Sequence, residues 1–264
     1  MTAVYIIISI LFFGLLVIIH ELGHFGVAKA CGIRVDEFSV GMGPALFQKT
    51  RGETLYSLRA VPFGGYCAMA EDDGETDDPR AFVNQRLWKK LLVLVAGSFM
   101  NFLLGYLIMF ALVAIWNFGE VSIGRMIGHS WNLCVDLIKM VWESLGMLLT
   151  GEAGMQDLSG PVGIVDMMTN VANESPTIAD ALSNLAYLGS FIALNLAIMN
   201  MLPIPALDGG RIFLLLVTWV IEAITKKKLN PKYEIWINSA CMILLLALMA
   251  YVMLHDIVRL IFHG

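Results

Sequence analysis

The stretch Val4–Ala28, VYIIISILFFGLLVIIHELGHFGVA, decides the fold. From Val4 to Ile19 it carries no charge, and a bilayer core takes about 20 helical residues, so the stretch reads as a membrane span. At its far end stand His20, Glu21 and His24, groups that hydrocarbon should exclude unless they have a function. A rise of about 1.5 Å per residue from Val4 puts His20 about 24 Å along the helix, just inside a core about 30 Å thick.

The rest of the chain agrees with a membrane reading. Hydrophobic residues make up 58% of it and charged residues 15%, with a mean hydropathy of +0.74, well outside the soluble range. The 264 residues leave room for several spans and little extramembrane structure. Net charge is −5 without a basic patch, which argues against a nucleic-acid partner. Cys31, Cys67, Cys134 and Cys241 have no pairing spacing and read as free thiols. The N-terminal run lacks a basic leader and a small-residue cleavage site, so it reads as a mature span and not a signal peptide.

Further spans are expected at about 87–116, 185–202 and 236–261, with Ile212–Thr225 too short and too acidic at Glu222 to be more than an interfacial or buried helix. Lysine and arginine orient the set. The connection from Lys29 to Lys90 holds nine and that from Arg211 to Lys232 five, whereas the long connection between spans two and three holds only Arg125 and Lys139. Basic loops stay cytoplasmic, so both termini are expected outside and His20 near the cytoplasmic side.

Two connections have structure of their own. Ile33–Val40 and Thr54–Val61 look extended and are punctuated by Gly41, Gly43, Gly64 and Gly65, which predicts a small membrane-associated β-element. The acidic run Glu71–Pro79 fits no calcium loop and reads as solvated. In the outer connection Leu133, Leu137, Met140, Val141, Leu145 and Leu148 recur at helical spacing, the pattern of an extracytoplasmic amphipathic helix lying on the membrane surface. The expected fold is thus an α-helical membrane protein of about four transmembrane helices, one domain over 1–264.

Chemistry is concentrated at His20-Glu21-Leu22-Gly23-His24. Residues i and i+4 share a helix face, so both imidazoles can bind one metal, with Glu21 beside the open coordination positions. A zinc ion so held acidifies water, and a neighbouring carboxylate can take the proton. Two histidines leave a ligand missing. Asn200-Met201-Leu202-Pro203-Ile204-Pro205-Ala206-Leu207-Asp208-Gly209-Gly210 offers one, because two prolines break the third span just before a carboxylate. Taken alone, Asp208 reads first as a helix N-cap.

These residues carry a resemblance. The chain resembles the site-2 proteases, the zinc intramembrane metalloproteases of peptidase family M50 that include bacterial regulator-of-sigma-factor proteases. The likeness rests on His20–His24 and on Asn200–Gly210, which fits an NxxPxPxxDG pattern. It extends to Phe63–Tyr66, to Asp78-Pro79-Arg80-Ala81-Phe82, to Gly97 and Asn101, and to Ser159-Gly160-Pro161-Val162-Gly163. The resemblance implies a Zn²⁺ site of His20, His24 and Asp208, with Glu21 as general base and acid. It implies substrate-binding roles for Asn195 and Asn200, with helix-to-helix hydrogen bonding as the lesser alternative, and for Gly64 and Gly65 in a β-element that pairs with an unwound substrate. It further implies a transmembrane protein substrate in the lipid bilayer, an upstream site-1-type protease, and a multi-pass location in a bacterial plasma membrane.

Two departures stand out. Ser98 occupies the place of a usual proline in GPxxN. Asn117–Trp131 is too short for the PDZ domain that many bacterial members insert there, given ordinary domain sizes. An alternative of another class is a catalytically silent zinc-binding scaffold, although a structural site has no need of Glu21 and closes its coordination with protein ligands. A transporter would be expected to show inverted repeats, and none is visible.

Overall fold

The computed structural model describes residues 2–69, 76–117, 121–152, 154, 160–226 and 232–263. In chain order they form α1 (Thr2–Ala30), β1 (Val35–Arg51), β2 (Thr54–Met69), a 3-10 turn (Phe82–Asn84), α2 (Leu87–Trp116), α3 (Ile123–Thr150), α4 (Pro161–Glu174), α5 (Ile178–Asn200), α6 (Asp208–Thr225) and α7 (Lys232–His263). Among the described residues α1, α2, α5 and the Trp236–Val258 part of α7 are long and apolar enough to cross a membrane, so the four expected spans are present.

The third span starts at Ile178 and not near 185, and its start is a capping effect. The Thr177 hydroxyl oxygen accepts the Asp180 N–H at 3.1 Å while the hydroxyl donates to Asp180 Oδ2 at 2.7 Å. That reciprocal pair satisfies first-turn donors and lets the helix begin in a polar stretch. Of the acidic run, Glu71–Glu75 lies outside the described residues. Asp78 makes a turn, accepting the Arg80 N–H at 2.8 Å and Arg34 Nη1 at 2.6 Å.

The chain divides into two compact units, each with its own core. The first comprises Met1–Phe12, Phe102–Leu196 and Leu244–Gly264. Here α3 buries Met126, Ser130, Cys134, Leu137 and Val141, and Cys134 and Leu137 pack with Met109 of α2 and Leu194 of α5. Trp131 meets the rings of Phe102 and Tyr106 edge-on. The buried stripe therefore shares Leu137 and Val141 with the one expected, but Met140 and Leu148 are exposed. Small Ser130 and Cys134 let α3 sit against α2 and α5, a contact the apolar periodicity alone does not reveal. Close approach of α2 and α5 is centred on Gly105, where a Cβ would stand 3.0 Å from Leu194, and the Ser190 hydroxyl donates to the Gly105 carbonyl at 2.8 Å.

The second unit comprises Phe13–Asn101 and Ala197–Ile243. Its β1 and β2 are longer than the pieces expected, and both bend. Residues 37–40 pair on one edge with Leu55–Leu58 and on the other with Gly65–Ala68, while 45–51 pair with 54–59. Gly41, Gly43 and Gly64, at φ +83°, +84° and +85°, supply bends that side chains rarely adopt. The Gly65–Met69 segment thus forms one edge of the sheet. Beneath it Ile33, Val35, Met69, Phe82, Val93 and Leu94 form the core that fixes the sheet on the ends of α1 and α2. Phe82 explains the Asp78–Phe82 motif: the turn drops this ring into that core.

Candidate metal centre

All the ligand candidates lie in the second unit. α1 presents His20 and His24 one turn apart, and α6 begins at Asp208. Their ligand atoms lie within 4.8 Å of one another. His20 Nε2 is 3.1 Å from Asp208 Oδ2, His24 Nε2 is 3.3 Å from the same oxygen, and the two Nε2 atoms are 3.1 Å apart. Both imidazoles are buried.

The segment after α5 is built to deliver Asp208. Pro203 and Pro205 end the helix. Ala206 turns the chain at φ +80°, and Gly209 and Gly210 pack so tightly on the backbone of Met201, Leu202 and Ile204 that a Cβ on either would overlap it. The N-cap of α6 is Leu207, so Asp208 is not the cap that the sequence alone favours. It sits in the first turn with its carboxylate turned to the imidazoles.

The donor set suits a cation. His24 Nδ1 is 2.8 Å from the Val93 carbonyl, which can only accept, so that nitrogen carries the ring proton and Nε2 keeps a lone pair. Asp208 Oδ2 is buried without a hydrogen-bond donor. Lone-pair atoms converging at such separations repel one another unless a positive ion stands between them. Two imidazole nitrogens and one carboxylate oxygen form a donor set of the kind that catalytic zinc sites use.

Glu21 stands beside this set. A Cβ on Gly65 would lie 3.6 Å from Glu21 Cγ, and the Cys67 backbone N–H donates to the Glu21 carboxylate. The edge segment Gly65–Met69 therefore borders the carboxylate. Gly64 forms a bend at φ +85° whose missing side chain makes room for Met42. Asn200 reaches the site, its Nδ2 3.5 Å from His20 Nδ1. Asn195 belongs to the other compact unit.

One face of α2 completes the surroundings. Val93 supplies the carbonyl to His24. A Cβ on Gly97 would stand 2.5 Å from His24 Nε2 and 2.7 Å from His20 Cε1, so only glycine admits both rings. Asn101 Nδ2 is 3.4 Å from His20 Nδ1. The sequence shows Gly97, Asn101 and Gly105 four apart, which reads as helix packing. That holds for Gly105, while Gly97 and Asn101 face the imidazoles. An asparagine inside a span, where polar groups are costly, was the available signal.

A protein of Clostridium acetobutylicum named "Putative zinc metalloprotease" is 32% identical over 340 aligned positions, covering 96% of this chain and 97% of that one. A protein of the same name in Clostridium perfringens is 28% identical, covering 96% and 98%. The "Regulator of sigma-W protease RasP" of Bacillus subtilis is 24% identical over 425 positions, covering 97% and 98%. These alignments are longer than the 264 residues of this chain, so the relatives carry segments that it lacks. The model of peptidase family M50 matches residues 8–248, and with the ligand triad inside that match the chain belongs to peptidase family M50.

Proposed function

We propose that the chain is a zinc-dependent endopeptidase that cuts single-pass transmembrane proteins at membrane depth, close to the cytoplasmic face. The observation that carries this reading is the convergence of His20, His24 and Asp208 beside Glu21 at the end of an apolar helix. The site sits where peptide bonds of a membrane-embedded substrate would be reached.

Zinc, when bound by the three ligands, supplies Lewis acidity at the scissile carbonyl and lowers the pKa of the attacking water. Glu21 takes a proton from the attacking water and passes it to the departing amine nitrogen as the C–N bond breaks, leaving an amine and a carboxylic acid that then gives up its remaining proton to become a carboxylate. Intact helices offer no free peptide groups, so the substrate must unwind at the cut. The Gly65–Met69 edge can pair with the extended segment, and the Asn200 amide can hold a freed backbone group. For Gly64 the geometry supports only the bend that shapes this edge. Asn195 is proposed as a second backbone holder.

The sigma-W regulator name of one relative supports membrane-anchored regulators of transcription as substrates, and a prior outer cut by a site-1-type protease is proposed with them. The length that the relatives have in excess is that of an inserted domain, and the outer connection is proposed to lack a PDZ module. Substrate choice then falls to the membrane parts. Basic loops support a bacterial plasma-membrane location with both termini outside. A silent zinc scaffold is disfavoured by Glu21, which has no structural role in a closed site.

The test is reconstitution with a model single-pass substrate. Wild-type protein is expected to cleave it and to stop when zinc is chelated, and Glu21→Gln to retain zinc without cleaving. Cleavage at wild-type rate by Glu21→Gln would sink the mechanism.

A further inference from the structure

We propose that Asn101 is a positioning residue for the metal centre: its side-chain oxygen accepts the Nδ1–H of His20 and so fixes that ring with Nε2 toward the metal. This rests on the reading of His20 as a ligand through Nε2.

A neutral imidazole that binds a metal through one nitrogen carries its proton on the other, and that N–H needs an acceptor. His24 has one in the Val93 carbonyl at 2.8 Å. For His20 two amides reach Nδ1, Asn101 at 3.4 Å and Asn200 at 3.5 Å, both through their nitrogen. A donor facing a donor is a mismatch. At the same time Asn101 Oδ1 is buried with no partner, and Asn101 as a whole is 0% exposed.

One change removes the mismatch and gives the buried oxygen a partner. The oxygen and nitrogen of a carboxamide have nearly the same shape, and their assignment follows from the hydrogen-bond network. Turning the Asn101 amide over places its oxygen toward His20 Nδ1, where it accepts the ring N–H, and leaves the amide nitrogen where the oxygen stood. Asn200 is then released from the imidazole and free for substrate backbone.

The result is a single stripe of α2. Val93, Gly97 and Asn101 fall four residues apart on one helix face, and each does one thing for the ligands. Val93 holds His24 in its tautomer, Gly97 leaves space for both rings, and Asn101 does for His20 what Val93 does for His24. Outer partners of this kind typically change metal affinity 10–100-fold.

The experiment measures zinc affinity of purified, detergent-solubilised protein by competition with a chromogenic chelator, with apo-protein melting temperature as the folding control. Asn101→Leu, close in volume but with no acceptor, is expected to weaken zinc binding about 10–100-fold. Asn101→Asp keeps an acceptor at the same place and is expected to bind zinc within a few-fold of wild type or tighter, even if Asn101→Leu folds poorly. If Asn101→Leu holds zinc as tightly as wild type, or Asn101→Asp loses it as badly as His20→Ala, Asn101 merely packs and the proposal falls. A wild-type protein that takes up no zinc overturns the ligand reading itself, a distinct outcome.

Discussion

The Asp256 carboxylate of α7 accepts the Gly160 backbone N–H at 2.9 Å, and the same oxygen accepts the Gly163 N–H at 2.9 Å. Gly160 is the N-cap of α4, so a buried acid satisfies donors that the first turn leaves open and faces the positive end of the helix. A Cβ at Gly160 would stand 2.8 Å from that oxygen, and one at Gly163 3.1 Å, which accounts for both glycines of the Gly-Pro-Val-Gly motif. Ser159, the residue before it, lies outside the described residues.

Asp256→Ala is therefore expected to destabilise the protein by about 3 kcal/mol, the scale of two buried bonds to a charged acceptor. Asp256→Asn, which keeps an oxygen, should cost less. Thermal unfolding in detergent measures both, and an Asp256→Ala melting temperature equal to wild type would count against the bond.

Gly23 is the third internal residue of His20–His24, and its place is set by α2. A Cβ there would lie 2.5 Å from the Ala96 carbonyl oxygen, a backbone atom that cannot rotate away. Gly23→Ala is expected to push the two helices apart at the level of the ligands, lowering the melting temperature and zinc affinity together. Gly26→Ala, where a Cβ meets nothing within 4 Å, is the control and should leave both unchanged or raise stability by up to about 1 kcal/mol. Equal behaviour of the two variants would contradict the packing.

Glu37 ties the sheet together. It accepts the Ser57 hydroxyl at 2.5 Å and Arg59 Nη2 at 2.8 Å, and Arg59 also donates to Tyr66 at 2.6 Å. Burial pushes the Glu37 carboxyl up, but the Ser57, Arg59 and Tyr66 hydrogen bonds and the Arg59 charge outweigh it and hold the group below its ordinary value of 4.5. A depressed carboxylate contributes stability that is fully present above the ordinary value and is lost as pH falls through the depressed one. Wild-type protein should thus lose more stability below pH about 4.5 than Glu37→Gln does. Melting curves stepped from pH 7 to pH 3 compare the slopes, and parallel slopes would remove Glu37 from the account.

The spans and the convergence of His20, His24 and Asp208 were legible because each rests on a local rule: length of apolar run, spacing of i and i+4, prolines before a carboxylate. Asn101 and Gly97 were visible as a pattern but not as a role. Their meaning depends on which helix faces α2, and no period encodes that. The same holds for α3, where Ser130 and Cys134 interrupt the apolar stripe yet are buried. Gly160 and Asp256 lie 96 residues apart, so the motif could be noticed but its partner could not be named. The early start of α5 was the one local signal overlooked, since Thr177 and Asp180 form a recognisable cap.

Ala206 carries a strain that the metal centre needs. Its φ of +80° lies in the left-handed region, where a side chain costs about 1–2 kcal/mol, and its N–H donates to Asn238 Oδ1 at 3.3 Å. The turn brings Asp208, two residues on, to the imidazoles. Ala206→Gly adopts the same backbone freely but loses more entropy on folding, by about 0.5–1 kcal/mol, so it should be neutral or slightly stabilising and keep zinc affinity. Ala206→Pro cannot reach a positive φ and has no N–H to donate, so Asp208 should be misplaced and zinc affinity should fall toward that of Asp208→Ala. Chelator competition on the three variants separates these outcomes. Wild-type zinc affinity in Ala206→Pro would show that the ligand does not depend on this turn.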